Sequence, residues 1–414
     1  MLHLVRTVLL LSPYRGLLAL PGARAFVVPG VIGRFPISML GLGSVLLVHA
    51  ESGSYVTAGA VTGTLAVATA LAGPLMGTLA DRWGQRRVLL PSLLVFVVAA
   101  AGLVIAALGH APTWVLFPPA ALAGATAPQI GSLARRRWKG LVSDPVQLNT
   151  ALSLESVLDA AVFVIGPVVA TFLATKVHPA GGVVAAISLA VIGGLLFAAQ
   201  RRTEPRARTH AHATSDEGHS KPAYRARGLW VIIAAHLAMG VCFGTTDLSV
   251  VAFAQQRGHP EMAGVLLGTF AIGSFIAGIV YGAATWHASA AVRFRSALVA
   301  IAITSVPLIF APTIPVMAVA ALLIGLAISP ALIAGTTLVE LIVPAGALTE
   351  GFAWTTTAIG LGIALGSATT GGLIETYGPN KALILTTAAG VAATLVATAG
   401  TRLLSPSTKI LAAS

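Results

Sequence analysis

Apolar runs of about 20 residues, the length that crosses a bilayer as a helix, follow one another along almost the whole chain. Charged, proline and glycine residues collect in the short breaks between them. Twelve segments result: Val27–His49, Thr57–Leu79, Val88–Leu108, Trp114–Leu133, Thr150–Thr171, Gly181–Ala199, Leu229–Ala252, Ala263–Ala284, Ser296–Pro312, Val316–Leu338, Phe352–Leu373 and Ala382–Thr401. The runs are continuous and do not alternate, which argues against a transmembrane β-barrel. An all-α integral membrane protein of twelve transmembrane helices is expected.

Composition narrows the class. Of 414 residues, 56% are hydrophobic and only 9% charged, with mean hydropathy +0.90. A soluble globular chain carries roughly 25% charged residues. Soluble enzymes, nucleic-acid binders, fibrous proteins and disordered chains are therefore excluded. The net charge of +12 reads as cytoplasmic retention of Lys and Arg. With the N-terminus inside, inside segments hold 21 of these residues and outside loops hold Lys176, Arg257 and Lys381. Both termini are expected in the cytoplasm, in a multi-pass protein of the cell's inner (plasma) membrane. Cys242 is the single cysteine, so no internal disulfide or paired-cysteine metal site can form.

The expected organisation is a cytoplasmic interfacial arm (1–25), a six-helix bundle (26–200), a cytoplasmic linker (201–227), a second six-helix bundle (228–402) and a cytoplasmic tail (403–414). Pro13 and Arg15 interrupt the N-terminal apolar run, which speaks against a signal peptide. His210, His212 and His219 in the linker lack an acid or cysteine at ligand spacing and read as a solvated loop.

The halves repeat. At one constant offset, Ala58, Gly59, Gly63, Thr64, Gly73 and Gly77 fall on Ala263, Gly264, Gly268, Thr269, Gly278 and Gly282. Near it, Leu148, Gly166 and Pro179 fall on Leu348, Gly366 and Pro379. Both halves start inside, so the repeats are parallel, related by an axis along the membrane normal. Gly pairs four apart, at Gly59/Gly63, Gly73/Gly77, Gly264/Gly268, Gly278/Gly282 and Gly362/Gly366, let helix backbones approach closely in lipid. Two readings stay open: static packing, or smooth surfaces on which two halves rock.

The loop after the second run reads Gly73-Pro-Leu-Met-Gly77-Thr-Leu-Ala-Asp81-Arg82-Trp83-Gly84-Gln85-Arg86-Arg87. It resembles the signature G-x-x-x-G-x-x-x-D-R-x-G-x-[RK]-[RK] of the major facilitator superfamily (MFS), between spans two and three where that family has it. The resemblance implies two parallel six-helix repeats and transport by alternating access. It also implies that Asp81 locks the cytoplasmic side by facing the N-terminal end of the eleventh helix, a role Glu350 would share. Trp286 stands where the second half would carry the acid. Within the superfamily the chain resembles the drug and metabolite efflux branch. Yet Val162, Gly166, Pro167, Ala170 and Thr171 keep only the Gly-Pro of its fifth-span pattern, and Ala120 stands where it has an arginine before Gly124.

Charges inside apolar runs are costly and commonly functional. Glu155 and Asp159, four apart, share one helix face, at a depth similar to Arg34 on the first span. In the superfamily these two helices are neighbours, so an Arg34–Glu155/Asp159 cluster is expected, either a structural ion pair or a coupling site. Asp247 stands without a nearby base, and an isolated acid of this kind suits proton coupling. His236 shares its face about 16 Å away, and reads either as a coupling group or as a hydrogen-bonded interior histidine.

No phosphate-binding loop, H-E-x-x-H, G-x-S-x-G or paired-cysteine site occurs, so no enzyme, metal or cofactor is expected. The favoured reading is a proton-coupled exporter of a small lipophilic or amphipathic compound, acting as a monomer without nucleic acid. Its cavity would be lined by Met39, Ser44, Trp114, Phe117, Gln129, Phe243, Met317 and Ser329. An importer or facilitator of a small metabolite, and a transport-inactive scaffold or sensor, are the alternatives.

Overall fold

The structure, a computed structural model, describes residues 15–205, 223–344 and 347–404. The linker histidines and most of the expected arm and tail lie outside the described residues. Among the described residues, eleven helices are long and apolar enough to cross a membrane. They are Ala23–Ser52, Tyr55–Trp83, Gln85–Leu108, Pro145–Lys176, Gly181–Ala199, Arg227–Gln256, Met262–Ala283, Ala290–Ile309, Ile314–Ile342, Glu350–Tyr377 and Pro379–Ala399.

The twelfth is the fourth span, which is broken. Thr113–Thr126 and Ile130–Leu141 are separate helices. Between them Pro128 offers no N–H and bars the helical region to its predecessor. Ala127 accordingly takes φ −53° and ψ 129°. The first span is interrupted at Gly33 and Arg34, where Pro36 has no N–H to offer the Ile32 carbonyl and a new helix begins at Phe35. Among the described residues, twelve spans are therefore present.

Helices run beyond the apolar runs that announce them, because helical hydrogen bonding is indifferent to side-chain polarity outside the hydrocarbon. The fourth span was expected to stop at Leu133, leaving Arg135, Arg136, Arg137 and Lys139 in a loop; all four are helical. The ninth starts at Ala290, where Ser289 accepts from the Val292 amide at 3.4 Å, rather than at Ser296. The fifth starts at Pro145, capped by the Asp144 carboxylate on the amides of Val146 and Gln147.

Pairing of spans repeats between halves. In the first half, spans one and five, one and six, two and four, three and four, and three and six pack together. In the second half the same pairs recur as seven and eleven, seven and twelve, eight and ten, nine and ten, and nine and twelve. The fold is all-α, twelve transmembrane helices in two parallel six-helix pseudo-repeats.

The halves meet through two pairings that are also repeat-related, the second span on the eleventh and the eighth on the fifth. Both use the glycine pairs. A Cβ on Gly59 would collide with the Ser367 carbonyl, and one on Gly63 would lie 3.0 Å from the Ala364 carbonyl. A Cβ on Gly264 would collide with the Pro167 carbonyl, and one on Gly268 would lie 3.0 Å from that of Val164. The second pair on each of these helices is different: Gly77 and Gly282 have open space around them. The interface is therefore tight toward one end of the molecule. It is loose toward the other, the arginine-rich end that carries Asp81 and Arg136.

Candidate functional site

Arg34 sits at the bend of the first span, where the broken helix turns its side chain toward the fifth. Its guanidinium pairs with Glu155, and through Nη1 with Asp159 Oδ1 at 3.0 Å. Arg34 is 4% and Glu155 0% exposed, whereas Asp159 is 28% exposed. The pair acids differ in their remaining partners. Trp138 Nε1 donates to Glu155 Oε1 at 2.7 Å, and Arg135 holds the other oxygen of Asp159. Two cations and two acids thus compensate one another.

Arg135 and Trp138 went unnoticed in the sequence. They lie three apart, one helical turn, on the second piece of the broken fourth span. Only that piece, turned by the break, brings both onto the fifth helix. A basic run at the end of an apolar segment reads as loop unless the helix is known to continue.

The three consecutive arginines point in three directions, as the roughly 100° per residue of a helix requires. Arg135 meets Asp159 and Arg136 meets Asp81. Arg137 is wholly buried. It donates to Gln85 Oε1 at 2.9 Å, the Gln200 carbonyl at 2.9 Å and the Phe197 carbonyl at 3.2 Å. Its guanidinium also lies 3.8 Å from the Phe197 ring centroid. One short helix therefore ties spans two, three, five and six.

In the signature loop, Gly84 takes φ 96°, left-handed backbone that favours glycine, and lets one residue end span two and start span three. Arg82 is exposed, and the Arg86 amide donates to Glu204 at 2.8 Å. Asp81 contacts its own half through Arg136. Glu350, in the first turn of the eleventh span, accepts from the Ala223 amide at 3.0 Å and Trp354 Nε1 at 3.4 Å. In this structure Asp81 and the eleventh span are not bonded to each other.

Asp247 is exposed while its neighbours Thr246 and Leu248 are buried. Other faces of this helix are covered: Gly244 packs on the eleventh span, Thr246 meets Thr386 of the twelfth, and Phe243 meets Phe270 of the eighth. No cation pairs with Asp247 among the described residues. His236 is buried, bonded through Nδ1 to the Ile232 carbonyl at 2.9 Å and stacked near Phe294.

The expected cavity lining divides. Met39 and Met317 are fully buried in helix packing, so they line no open space here; each turns to its own bundle's interior. Trp114 is 72% exposed at the start of the fourth span, far from the broken segment. Gln129 stands just before the second piece of that span and borders a small void of about 20 Å³ with Met76, Gly77, Ala127 and Ser132. Phe117 and Phe243 are partly exposed.

Opposite the arginine-rich end, polar contacts join the halves. Glu375 Oε1, from the eleventh span, accepts from Ser54 Oγ at 2.9 Å and the Val56 amide at 3.1 Å. It thus serves the free N-terminus of the second span, where an anion is favoured. Tyr55 Oη donates to Gln255 at 2.7 Å, and Lys176 Nζ lies 3.4 Å from Glu261.

No curated protein matches the sequence. Solved transporter structures do match the fold. The nucleoside transporter NupG is 15% identical with TM-score 0.68, over 92% of this chain and 98% of that one. A bacterial homologue of the iron transporter ferroportin in inward-facing state is 15% identical with TM-score 0.71, over 92% and 98%. The human organic anion transporter MFSD10 (TETRAN) is 14% identical with TM-score 0.63, over 93% and 100%. Residues 30–366 match the family model described as Major Facilitator Superfamily. With twelve spans, two parallel repeats and the loop around Asp81 in place, the chain belongs to the Major Facilitator Superfamily.

Proposed function

We propose that this protein is a secondary active transporter that works by alternating access and exports a small lipophilic or amphipathic compound in exchange for protons. It would sit in the inner (plasma) membrane with both termini and the arginine-rich end in the cytoplasm. The observation that carries the mechanism is the unequal interface. Gly59/Gly63 and Gly264/Gly268 are pressed against the opposite half, while Gly77 and Gly282 stand free. Rocking the halves would exchange the two conditions.

Asp247 is our choice for the proton site, because it is the intramembrane acid without an ion-pair partner among the described residues, whereas Glu155 and Asp159 are both paired. The Arg34 cluster would then hold spans one, four and five in register, or read the substrate from its half-exposed side at Asp159 and Arg135. Ala120 and Thr171, where the efflux pattern has other residues, favour a second reading: an importer or facilitator of a small metabolite.

Purified protein in liposomes, assayed with and without an imposed pH gradient, tests both. Uphill transport that follows the pH gradient supports the antiporter. Substrate equilibration indifferent to the gradient supports the facilitator, and no flux of any tested compound would mean a scaffold.

A further inference from the structure

We propose that Arg293, Tyr281 and Trp286 form a binding site for the phosphate group of an anionic phospholipid, where spans eight and nine meet the arginine-rich end. Arg293 lies in the first turns of the ninth span, and its guanidinium carbon is 5.5 Å from the Tyr281 ring and 5.7 Å from the Trp286 ring. The two rings are themselves 4.6 Å apart, and Trp286 Nε1 donates to the Tyr281 carbonyl at 2.9 Å. This fixes an aromatic wall on one side of the cation.

What is missing from this arrangement is an acceptor. No carboxylate pairs with Arg293 or Arg295 among the described residues. Nε of Arg293 is buried without a hydrogen-bond acceptor, and the hydroxyl of Tyr281, a residue 6% exposed, lies beside the Arg293 guanidinium with no acceptor for its own proton. Arg295, two residues on and so on another face of the helix, turns away to Thr401 Oγ1 at 2.9 Å. A buried donor without an acceptor is costly, and the two at Arg293 and Tyr281 call for a ligand rich in acceptor oxygens. The corresponding corner of the first half is complete, since Asp81 meets Arg136 there. In the second half Trp286 stands where that acid would be.

Why a lipid, and not a free phosphate? Trp286 is exposed, as is Val292 beside Arg293. Below them Ile279 and Val280 on the eighth span, with Val299 and Ile303 on the ninth, present exposed aliphatic side chains. The two helices both pack on the tenth, which leaves their outward faces to lipid. A phosphate at Arg293 would thus have its acyl chains laid along an apolar strip. Arginine and tryptophan at this depth match the headgroup region.

Full-length protein, stripped of lipid in detergent, would be titrated with phosphatidylglycerol, phosphatidylcholine or inorganic phosphate. Native mass spectrometry reads bound lipid, and thermal unfolding reads its effect. Phosphatidylglycerol should bind and raise the unfolding temperature, and the other two should not. Arg293→Gln should weaken phosphatidylglycerol binding about tenfold, the loss of one charge-assisted contact. Tyr281→Phe should weaken it by less, and Arg402→Gln, an exposed arginine at the same end, should leave it unchanged. Equal affinity in wild type and Arg293→Gln would overturn the site. Inorganic phosphate that binds as tightly as the lipid would overturn its lipid nature. Should Arg293→Gln fail to fold, Tyr281→Phe carries the test, and unaltered binding in it overturns the proposal.

Discussion

Among single residues, Arg34 shows how partners decide consequences. Removing one member of a buried pair leaves an uncompensated charge and costs about 3–5 kcal/mol. Arg34→Ala should therefore destabilise the protein by about that amount. Its two acids would suffer unequally. Asp159 keeps Arg135, whereas Glu155 is wholly buried and keeps only the Trp138 N–H. Glu155→Gln should consequently rescue Arg34→Ala, and Asp159→Asn should rescue it much less. Thermal unfolding of the two double variants measures the difference; equal rescue would show that Glu155 is not the orphan. Asp247 calls for a different assay. Asp247→Asn, permanently neutral, should abolish accumulation driven by a pH gradient while downhill exchange of substrate persists. A variant that still builds the gradient would move the proton site to Glu155 or Asp159.

For the helices, the glycine pairs give opposite forecasts for similar changes. Gly59→Leu or Gly264→Leu inserts a side chain where the opposite backbone already touches. Either should force the tight end apart and populate the state open on that side. Gly282→Leu inserts the same bulk into open space, so this state should tolerate it while closure of the arginine-rich end is hindered. Spin-label distances across each end distinguish the three variants from wild type. At the tight end, the Lys176–Glu261 bridge should be sensitive to salt more than to pH. A hydrogen bond from its own backbone, followed by Lys176 and His259, holds the Glu261 carboxyl below its ordinary range. A lowered carboxylate contributes above the normal value and is lost only as pH falls through the depressed one. Between pH 5 and 8 the Lys176–Glu261 bridge should thus stay constant, whereas salt screens so exposed a pair. A distance at this end that shifts between pH 6 and 8 would assign the closure to the imidazoles beside these acids, His259 at Glu261 and His49 at Glu375, rather than to the Lys176 bridge. Removal of Glu375 is the stronger perturbation. Glu375→Gln takes the anion from the N-terminus of the second span and should loosen the same end.

Across the whole molecule, much was written in the order of residues. Twelve apolar runs, the doubled glycine pattern and the loop around Asp81 determined the number of spans, their division into repeats and the superfamily. The reason is that a bilayer constrains each span locally: every backbone polar group must be satisfied within its own helix, so hydropathy and spacing carry the information. The meeting of Arg34 with Glu155 and Asp159 was legible too, because their depths follow from counting residues. Folding alone decided which face each side chain took. The same glycine motif is inter-half contact at Gly59 and empty space at Gly77, a distinction set by how the two halves are placed against each other. Met39 and Met317 turned inward to their bundles, since the azimuth of a helix is set by its neighbours and not by its own apolar pattern. Arg135, Arg136 and Arg137 read as loop until the break at Pro128 let the helix resume and aim them at three different spans. Where a residue's role depends on its rotation about the helix axis, only the tertiary packing could supply it.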